Sequence, residues 1–338
     1  MTRICICGGG NLGHVVAGFV ASRQGFEVSL LTRQPERWSR NLCIDRPDGS
    51  VSQAMLTCIS SDPQEVVPDA DIVLLCLPGY AIRDALLQIR DCMREDTVVG
   101  SVVSSTGFFF EAMKELSEHT PLFGLQRVPF IARTREYGHR AALLGYKESL
   151  CVAVEHTSRR EELRQTVERM FNTPTRLMNN LYEVSLSNSN PLLHPARLYD
   201  LWNGWKEGDV SSSVPFFYEE WTERAAVLYM AMDEELHQLL TVLPVQQDSI
   251  PTVLDYYDST DALSLTRKLR SIEAFKGIKA PMQKVEGGYV PDFHSRYFTE
   301  DFPYGLAIIR QLCRDHHIST PVIDKVFQWG QQYIPNND

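Results

Sequence analysis

Short β-branched runs alternate with amphipathic stretches through the first half of the chain, the pattern of a mainly parallel sheet flanked by helices. Strands are expected near 3–7, 27–32, 71–77, 97–103 and 121–125, and helices near 11–23, 79–93 and 108–117. Ala70 to Leu77 is almost continuously apolar and stops at Pro78-Gly79, as a strand covered on both faces should, which places it in the middle of the sheet. From about 137 two strand-like runs follow, His139 to Gly145 and Leu150 to Val154, joined through Tyr146-Lys147 and expected to form an antiparallel extension before a helix at 158–172. Beyond about residue 184 strand signals nearly vanish. Helical periodicity takes over, most clearly in Phe217 to Leu240 and Tyr304 to Arg314, with loops expected at Pro244 to Pro251 and Pro281 to Pro291. The expected architecture is α/β: a doubly wound, mostly parallel domain over residues 1–183, then an all-α domain over 184–338.

A length of 338 residues accommodates two cores. The net charge of -10 argues against a nucleic-acid footprint, which needs clustered Lys and Arg. Met1 is followed by a short apolar strand and a glycine turn instead of a secretory leader, and no apolar run approaches the ~20 residues of a membrane helix. A cytoplasmic protein acting on small molecules is expected, without nucleic-acid or membrane partners. Several of the eight cysteines sit inside apolar runs, as buried reduced thiols do. No CxxC or HExxH spacing suggests a metal, and Asp315-His316-His317 reads as an exposed helix end.

Arg3-Ile4-Cys5-Ile6-Cys7 runs into Gly8-Gly9-Gly10-Asn11-Leu12-Gly13, a GxGxxG turn between an expected strand and helix. Gly8 permits the tight turn, Gly10 lets backbone approach a pyrophosphate, and Gly13 allows close helix–sheet packing, while the N–H groups of Asn11 and Leu12 open the helix. This is the dinucleotide fingerprint of a Rossmann domain. The second strand ends at Thr32-Arg33, where an NAD enzyme usually carries a carboxylate. A Thr hydroxyl and the Arg33 guanidinium, helped by Arg37, suit a 2′-phosphate instead, so NADPH is expected over NADH, with NAD as the other option. Leu77 and Pro78, and Ser104 to Gly107, stand where strand ends border a nicotinamide crevice, or are ordinary turns.

Ser189-Asn190-Pro191-Leu192-Leu193-His194-Pro195 stands where the helical domain should begin. Asn190 and His194, four apart, share one helix face, and Pro191 suits a first turn with Asn190 as N-cap. A lone histidine is more often packing than chemistry. The segment, however, belongs to a series spanning nearly the whole chain: the GGGNLG turn, Pro129 to Arg133, Leu144 to Lys147, Asn190 to Pro195, Phe217-Tyr218, Met232 to Glu235, and Arg296 to Leu306. In that order it resembles the opine dehydrogenase family, relatives of octopine and nopaline dehydrogenases.

The resemblance implies reductive condensation of an amino acid with a 2-oxo acid to a secondary amine. It also implies a proton-moving histidine, His194, paired with an aspartate from the helical domain, Asp301. Asn190 would donate to a substrate oxygen. Both substrates carry carboxylates, which suit bidentate guanidinium clamps, in order Arg133, Arg296 and Arg127. Tyr218 either lines the pocket or belongs to the core. Asp301 could equally be a helix cap or an ion partner of Arg296. The segment around Trp202 and Trp205 and Val210 to Val214 would shape the amino-acid pocket, and a homodimer is compatible with the pattern. Two other readings share the architecture. Relatives of ketopantoate reductase or 6-phosphogluconate dehydrogenase act on keto or hydroxy acids, typically with a lysine near the second domain's start, where this chain offers nothing nearer than Lys206. A non-catalytic NADPH sensor would bind without turnover.

Overall fold

Continuous apolar runs become central strands, and the glycine turn becomes the first crossover. The computed structural model describes residues 1–105 and 107–334. The chain divides into two units, one ending at Ser185 and the other beginning at Leu186.

In the first unit, β1 (Thr2–Cys7) leads through the glycine turn into α1 (Asn11–Ala21) and β2 (Phe26–Leu31). There follow β3 (Asn41–Asp45), β4 (Val51–Met55), β5 (Cys58–Ser60), α2 (Pro63–Val66), β6 (Ile72–Leu75), α3 (Gly79–Ile89), β7 (Val98–Ser101), α4 (Phe108–Glu115) and β8 (Leu122–Leu125). The hairpin of β9 (Phe130–Glu136) and β10 (Arg140–Tyr146) precedes β11 (Leu150–Glu155), α5 (Arg160–Phe171), β12 (Thr175–Leu177) and α6 (Leu181–Ser185). The main sheet has the order β12-β11-β8-β7-β6-β1-β2-β5. Every residue of β6 is buried, and β6 pairs in parallel with β1 and β7, as its apolar run requires. The β8–β11 joint is antiparallel.

A smaller sheet, β4-β3-β10-β9, was not expected. It packs on α1 at Gly18, where a β-carbon would lie 2.6 Å from Ile44 Cδ1. The expected direct pairing of the 139–145 and 150–154 runs does not occur. β10 pairs antiparallel with β9 and parallel with β3, whereas β11 joins β8 in the main sheet. The physical reason is the Tyr137-Gly138 turn: Gly138 has φ +75° and folds the β10 run back on β9, a partner next to it in sequence.

The second unit contains α7 (Asn190–Trp202), α8 (Glu223–Leu240), α9 (Val253–Tyr256) and α10 (Ala262–Ser271), then a hairpin of β13 (Met282–Val285) and β14 (Gly288–Pro291). It ends with α11 (Arg296–Thr299), a π-helical turn over Phe302–Leu306, α12 (Ala307–Asp315) and α13 (Pro321–Gln331). It is helical as expected, with two corrections. The Pro281 to Pro291 segment is a two-stranded hairpin, and the Phe217 to Leu240 helix starts only at Glu223. Thr222 is its cap, accepting from the Ala225 N–H, while upstream the Phe217 N–H is committed to the Ile278 carbonyl. Asp315, His316 and His317 form an exposed helix end.

The buried polar residues of α8 tie the later segments to it. The Glu235 carboxylate accepts from the Val322 and Ile323 N–H groups at the start of α13, and the Asp233 carboxylate accepts from the Val253 N–H. His237 Nδ1 meets the Asp233 carbonyl at 2.9 Å and its carboxylate at 3.4 Å, and Nε2 meets the Ile250 carbonyl at 3.3 Å. Acceptors on both sides favour the doubly protonated ring, and hydrogen bonding to Asp233 raises its pKa to about 9. A pKa raised on folding stabilises the fold below the unfolded value near 6.5 and loses that contribution as pH rises through about 9. The melting temperature should therefore fall between pH 6.5 and 9.5 more steeply in the native chain than in His237→Gln. Parallel profiles from differential scanning calorimetry would contradict this.

Candidate active site

The glycine turn of the first unit has the geometry of a diphosphate cradle. Gly8 has φ +124°, and a β-carbon there would lie 2.6 Å from the Cys76 carbonyl oxygen and 3.0 Å from the Leu77 side chain. A β-carbon on Gly13 would collide with the Gly8 carbonyl, so glycine lets α1 start directly against the turn. Gly10, at the N-cap of α1, has open space where its side chain would be, and no side chain caps the helix. An uncapped N-terminus beneath an open glycine fits a phosphate group of NAD(P). The Asn11 side chain accepts from the Thr134 N–H at 2.8 Å, so its amide anchors β9. Leu12 is half-buried, Thr32 is buried with its N–H on the Ser60 carbonyl, and Arg33 is exposed. Pro78 is the N-cap of α3 beside half-buried Leu77. Of the Ser104 to Gly107 segment, Thr106 lies outside the described residues.

In the second unit α7 carries His194 in its first turns. Ser189 occupies the N-cap, so Asn190 is the first helical residue and not the cap: Ser189 already has helical dihedrals. Asn190 is exposed, one turn before buried His194. Asp301 lies just before the π turn, whose Leu306 N–H reaches back to the Asp301 carbonyl. Gly305 lets that turn close on α7, since a β-carbon there would lie 2.6 Å from Pro191 Cγ. The result is a hydrogen bond of 2.8 Å between His194 Nδ1 and Asp301 Oδ2, with His194 Nε2 2.9 Å from the Tyr218 hydroxyl.

The partners define the proton positions. Nδ1–H donates to the carboxylate, leaving the Nε2 lone pair to accept from the Tyr218 O–H. Burial, with Tyr297, Tyr257 and Asp301 nearby, pushes the Tyr218 phenol far above its ordinary pKa, so it remains a neutral O–H. Tyr297 packs edge-on against the imidazole at 4.5 Å and stacks on Phe217 at 4.9 Å. Asp301 thus pairs with His194; no ion pair with Arg296 forms among the described residues.

Sequence reading missed the group that holds Tyr218 in place. Arg197, one turn beyond His194, is buried and donates to the carbonyls of Phe217 (2.9 Å) and Glu220 (2.8 Å). Its counter-ion Asp200 accepts from Arg197 (2.9 Å), the Thr222 hydroxyl (2.7 Å) and Arg224 (2.5 Å). The i, i+3 Arg–Asp spacing within an apolar helix was the available signal. Of the expected clamps, Arg296 is exposed at the start of α11, Arg127 is exposed after β8, and Arg133 is exposed on β9 with Nη1 on the Ala132 carbonyl. Trp202 is buried against Phe298 and Phe293, and Trp205 packs on Phe293 and Tyr333.

Residues 177–334 match the family model described as NAD/NADP octopine/nopaline dehydrogenase, alpha-helical domain, and residues 4–124 match that of ketopantoate reductase PanE/ApbA. Octopine dehydrogenase of Mizuhopecten yessoensis is 27% identical, covering 98% of this chain and 90% of that enzyme. Tauropine dehydrogenase of Arabella iricolor is also 27% identical, over 99% of this chain and 92% of its own. An octopine dehydrogenase structure with NADH and L-arginine aligns with a TM-score of 0.88 at 25% identity, over 98% of this chain and 89% of the other. The helical half of the chain matches the octopine/nopaline dehydrogenase family, and similarity to opine dehydrogenases runs over nearly the whole chain. Within the family's helical domain fall both the His194–Asp301–Tyr218 chain and the Arg197–Asp200 pair beneath it.

Removing the charge of Asp200 leaves Arg197 buried without its counter-ion. Asp200→Asn should cost about 3–5 kcal/mol in urea unfolding, as breaking a buried pair does. A loss below about 1 kcal/mol, the scale of an exposed pair, would show that the pair does not hold the Tyr218 segment.

Proposed function

We infer that this chain is an NAD(P)H-dependent oxidoreductase that reductively condenses the amino group of an amino acid with a 2-oxo acid, giving a secondary amine dicarboxylate. The observation that carries the chemistry is the imidazole held by a carboxylate at one nitrogen and a neutral phenol at the other. The amino acid's ammonium must lose a proton before its nitrogen can attack the carbonyl carbon. The carbonyl oxygen must then gain protons to leave as water, producing an imine, and one proton per turnover is drawn from solvent. When bound, the reduced nicotinamide supplies a hydride to the imine carbon.

His194 serves both proton steps, with Asp301 fixing its tautomer and stabilising the charged ring. Tyr218 is engaged at Nε2 in either state: neutral imidazole accepts the phenol hydrogen, and imidazolium donates to the phenol oxygen. Asn190, exposed one turn earlier, supplies an amide to a substrate oxygen. Arg296, Arg133 and Arg127 are the guanidinium groups offered to the two carboxylates. Gly8, Gly10, Asn11, Leu12 and Gly13 receive the diphosphate through backbone, with Leu77 and Pro78 beside them. Thr32 and Arg33 favour the 2′-phosphate of NADPH, because β2 ends without a carboxylate. The octopine dehydrogenase structure was solved with NADH, so NADH is the competing cofactor.

Oxidation of NADPH in a matrix of 2-oxo acids, each with and without an amino acid, tests the reading. Turnover should require both partners; turnover with the oxo acid alone would make the chain a keto-acid reductase, and binding without turnover a sensor. His194→Ala should lower kcat by about 10²–10⁴-fold and leave NADPH affinity nearly unchanged. Retained turnover would remove His194 from the mechanism, and a lower KM for NADH than for NADPH would reverse the cofactor assignment.

A further inference from the structure

The cofactor half contains an aromatic and basic cluster that neither the glycine fingerprint nor the end of β2 accounts for. Its centre is Tyr137, more than a hundred residues beyond the glycine turn, in the turn between β9 and β10. A β-carbon on Gly9, the middle residue of the turn, would lie 2.9 Å from the Tyr137 hydroxyl oxygen, 3.0 Å from Thr32 Oγ1 and 3.4 Å from Trp38 Cζ2. Two hydroxyls therefore converge over the one turn residue whose side chain would displace them. The Arg37 guanidinium stands 4.2 Å from the centroid of the same tyrosine ring, and its Nη1 donates to Gln34 Oε1 at 2.8 Å. Arg37 is otherwise exposed.

The tyrosine is built into this place. Gly138 has φ +75°, and a β-carbon there would collide with the Arg37 carbonyl, so only glycine lets the turn dock on the Arg37-Trp38 backbone. The Ser39 N–H donates to the Gly138 carbonyl at 2.9 Å. The Gly138 N–H donates to Nε2 of buried His14 at 2.7 Å, and His14 Nδ1 reaches the Gly10 carbonyl at 2.9 Å. With a donor on one nitrogen and an acceptor on the other, His14 is a neutral ring that links the glycine turn to the Tyr137 turn. It stacks on Trp38 at 4.0 Å.

We propose that Tyr137 determines cofactor specificity: its ring is the platform that holds the Arg37 guanidinium beside the adenosine 2′ position, where a 2′-phosphate is recognised. This rests on the NADPH reading above and extends it to a residue outside the β2 region. A guanidinium lying on an aromatic face gives up part of its freedom before the phosphate arrives, while its edge N–H groups stay available.

The test uses the full chain and two probes that differ by one group, adenosine 2′,5′-bisphosphate and adenosine 5′-monophosphate, titrated by calorimetry. The native chain should prefer the bisphosphate by about ten-fold or more, as an Arg–phosphate pair allows. Tyr137→Phe keeps the ring and should hold that preference within about two-fold, whereas Tyr137→Leu should reduce it about five-fold. Arg37→Gln should reduce it at least as much. A native preference that survives in Tyr137→Leu, or is lost in Tyr137→Phe, overturns the platform role alone. No preference in the native chain overturns the NADPH reading and the platform with it. Should Tyr137→Leu fail to fold, Arg37→Gln decides: a retained preference overturns the proposal, and its loss while Tyr137→Phe retains it supports the proposal.

Discussion

The second unit is organised by the requirement that a buried imidazole have a partner at each nitrogen. Those partners come from different segments: Asp301 from the residue before the π turn, and Tyr218 from the irregular stretch ahead of α8. Each segment is anchored separately. The π turn approaches α7 because Gly305 has no side chain to hold Pro191 away, and Phe302 fills the space that Gly330 leaves in α13. The Tyr218 stretch is anchored through its carbonyls to Arg197, which sits on the same helix as His194. One helix thus carries both the buried imidazole and the cation that fixes its partner, and an error of one residue in α7 would misplace both.

Three histidines show how partners, not position in the fold, set the state of the ring. His14 faces one donor and one acceptor and is neutral; burial lowers its pKa as well. His237 faces carbonyl and carboxylate acceptors and is a cation into the alkaline range. His194 has a carboxylate on one side and a phenol, which can both donate and accept, on the other. Of the three, it alone can gain or lose a proton without either partner losing its hydrogen bond. That is the property asked of a group that acts as base and acid in one turnover.

Much of the cofactor half was legible because its signals are local. A glycine turn between strand and helix, and an apolar run ending at Pro78-Gly79, each report their own conformation. In the smaller sheet only the β10 run was legible as a strand; β3, β4 and β9 alternate exposed polar residues such as Gln53, Arg133 and Arg135 with apolar ones and form no apolar run. One cue was available: Asp48-Gly49, with Gly49 at φ +83°, is the hairpin turn between β3 and β4. In the helical half, His194 stood out by its segment, but the bond to Tyr218 spans 24 residues and the bond to Asp301 spans 107. No periodicity encodes such a contact. Tyr137 was invisible for the same reason, since only the folded hairpin brings it over Gly9.

The residue types at the head of α7 also bear on which reaction the chain performs. Reduction of a keto acid asks for one proton at the nascent alkoxide oxygen, a task that an ammonium group with a high pKa performs well. Condensation with an amine asks for more: a proton must leave the amino acid's ammonium, and protons must then reach a departing hydroxyl. A lysine that holds its proton firmly serves only the second of these steps, whereas imidazole as a class titrates near neutrality and serves both. Here the imidazole occupies the buried position with a fixed tautomer, while Lys206 lies exposed beyond the end of the helix. A buried histidine at this place, with no lysine beside it, is thus the residue type that carbon–nitrogen bond formation asks for, more than simple carbonyl reduction does.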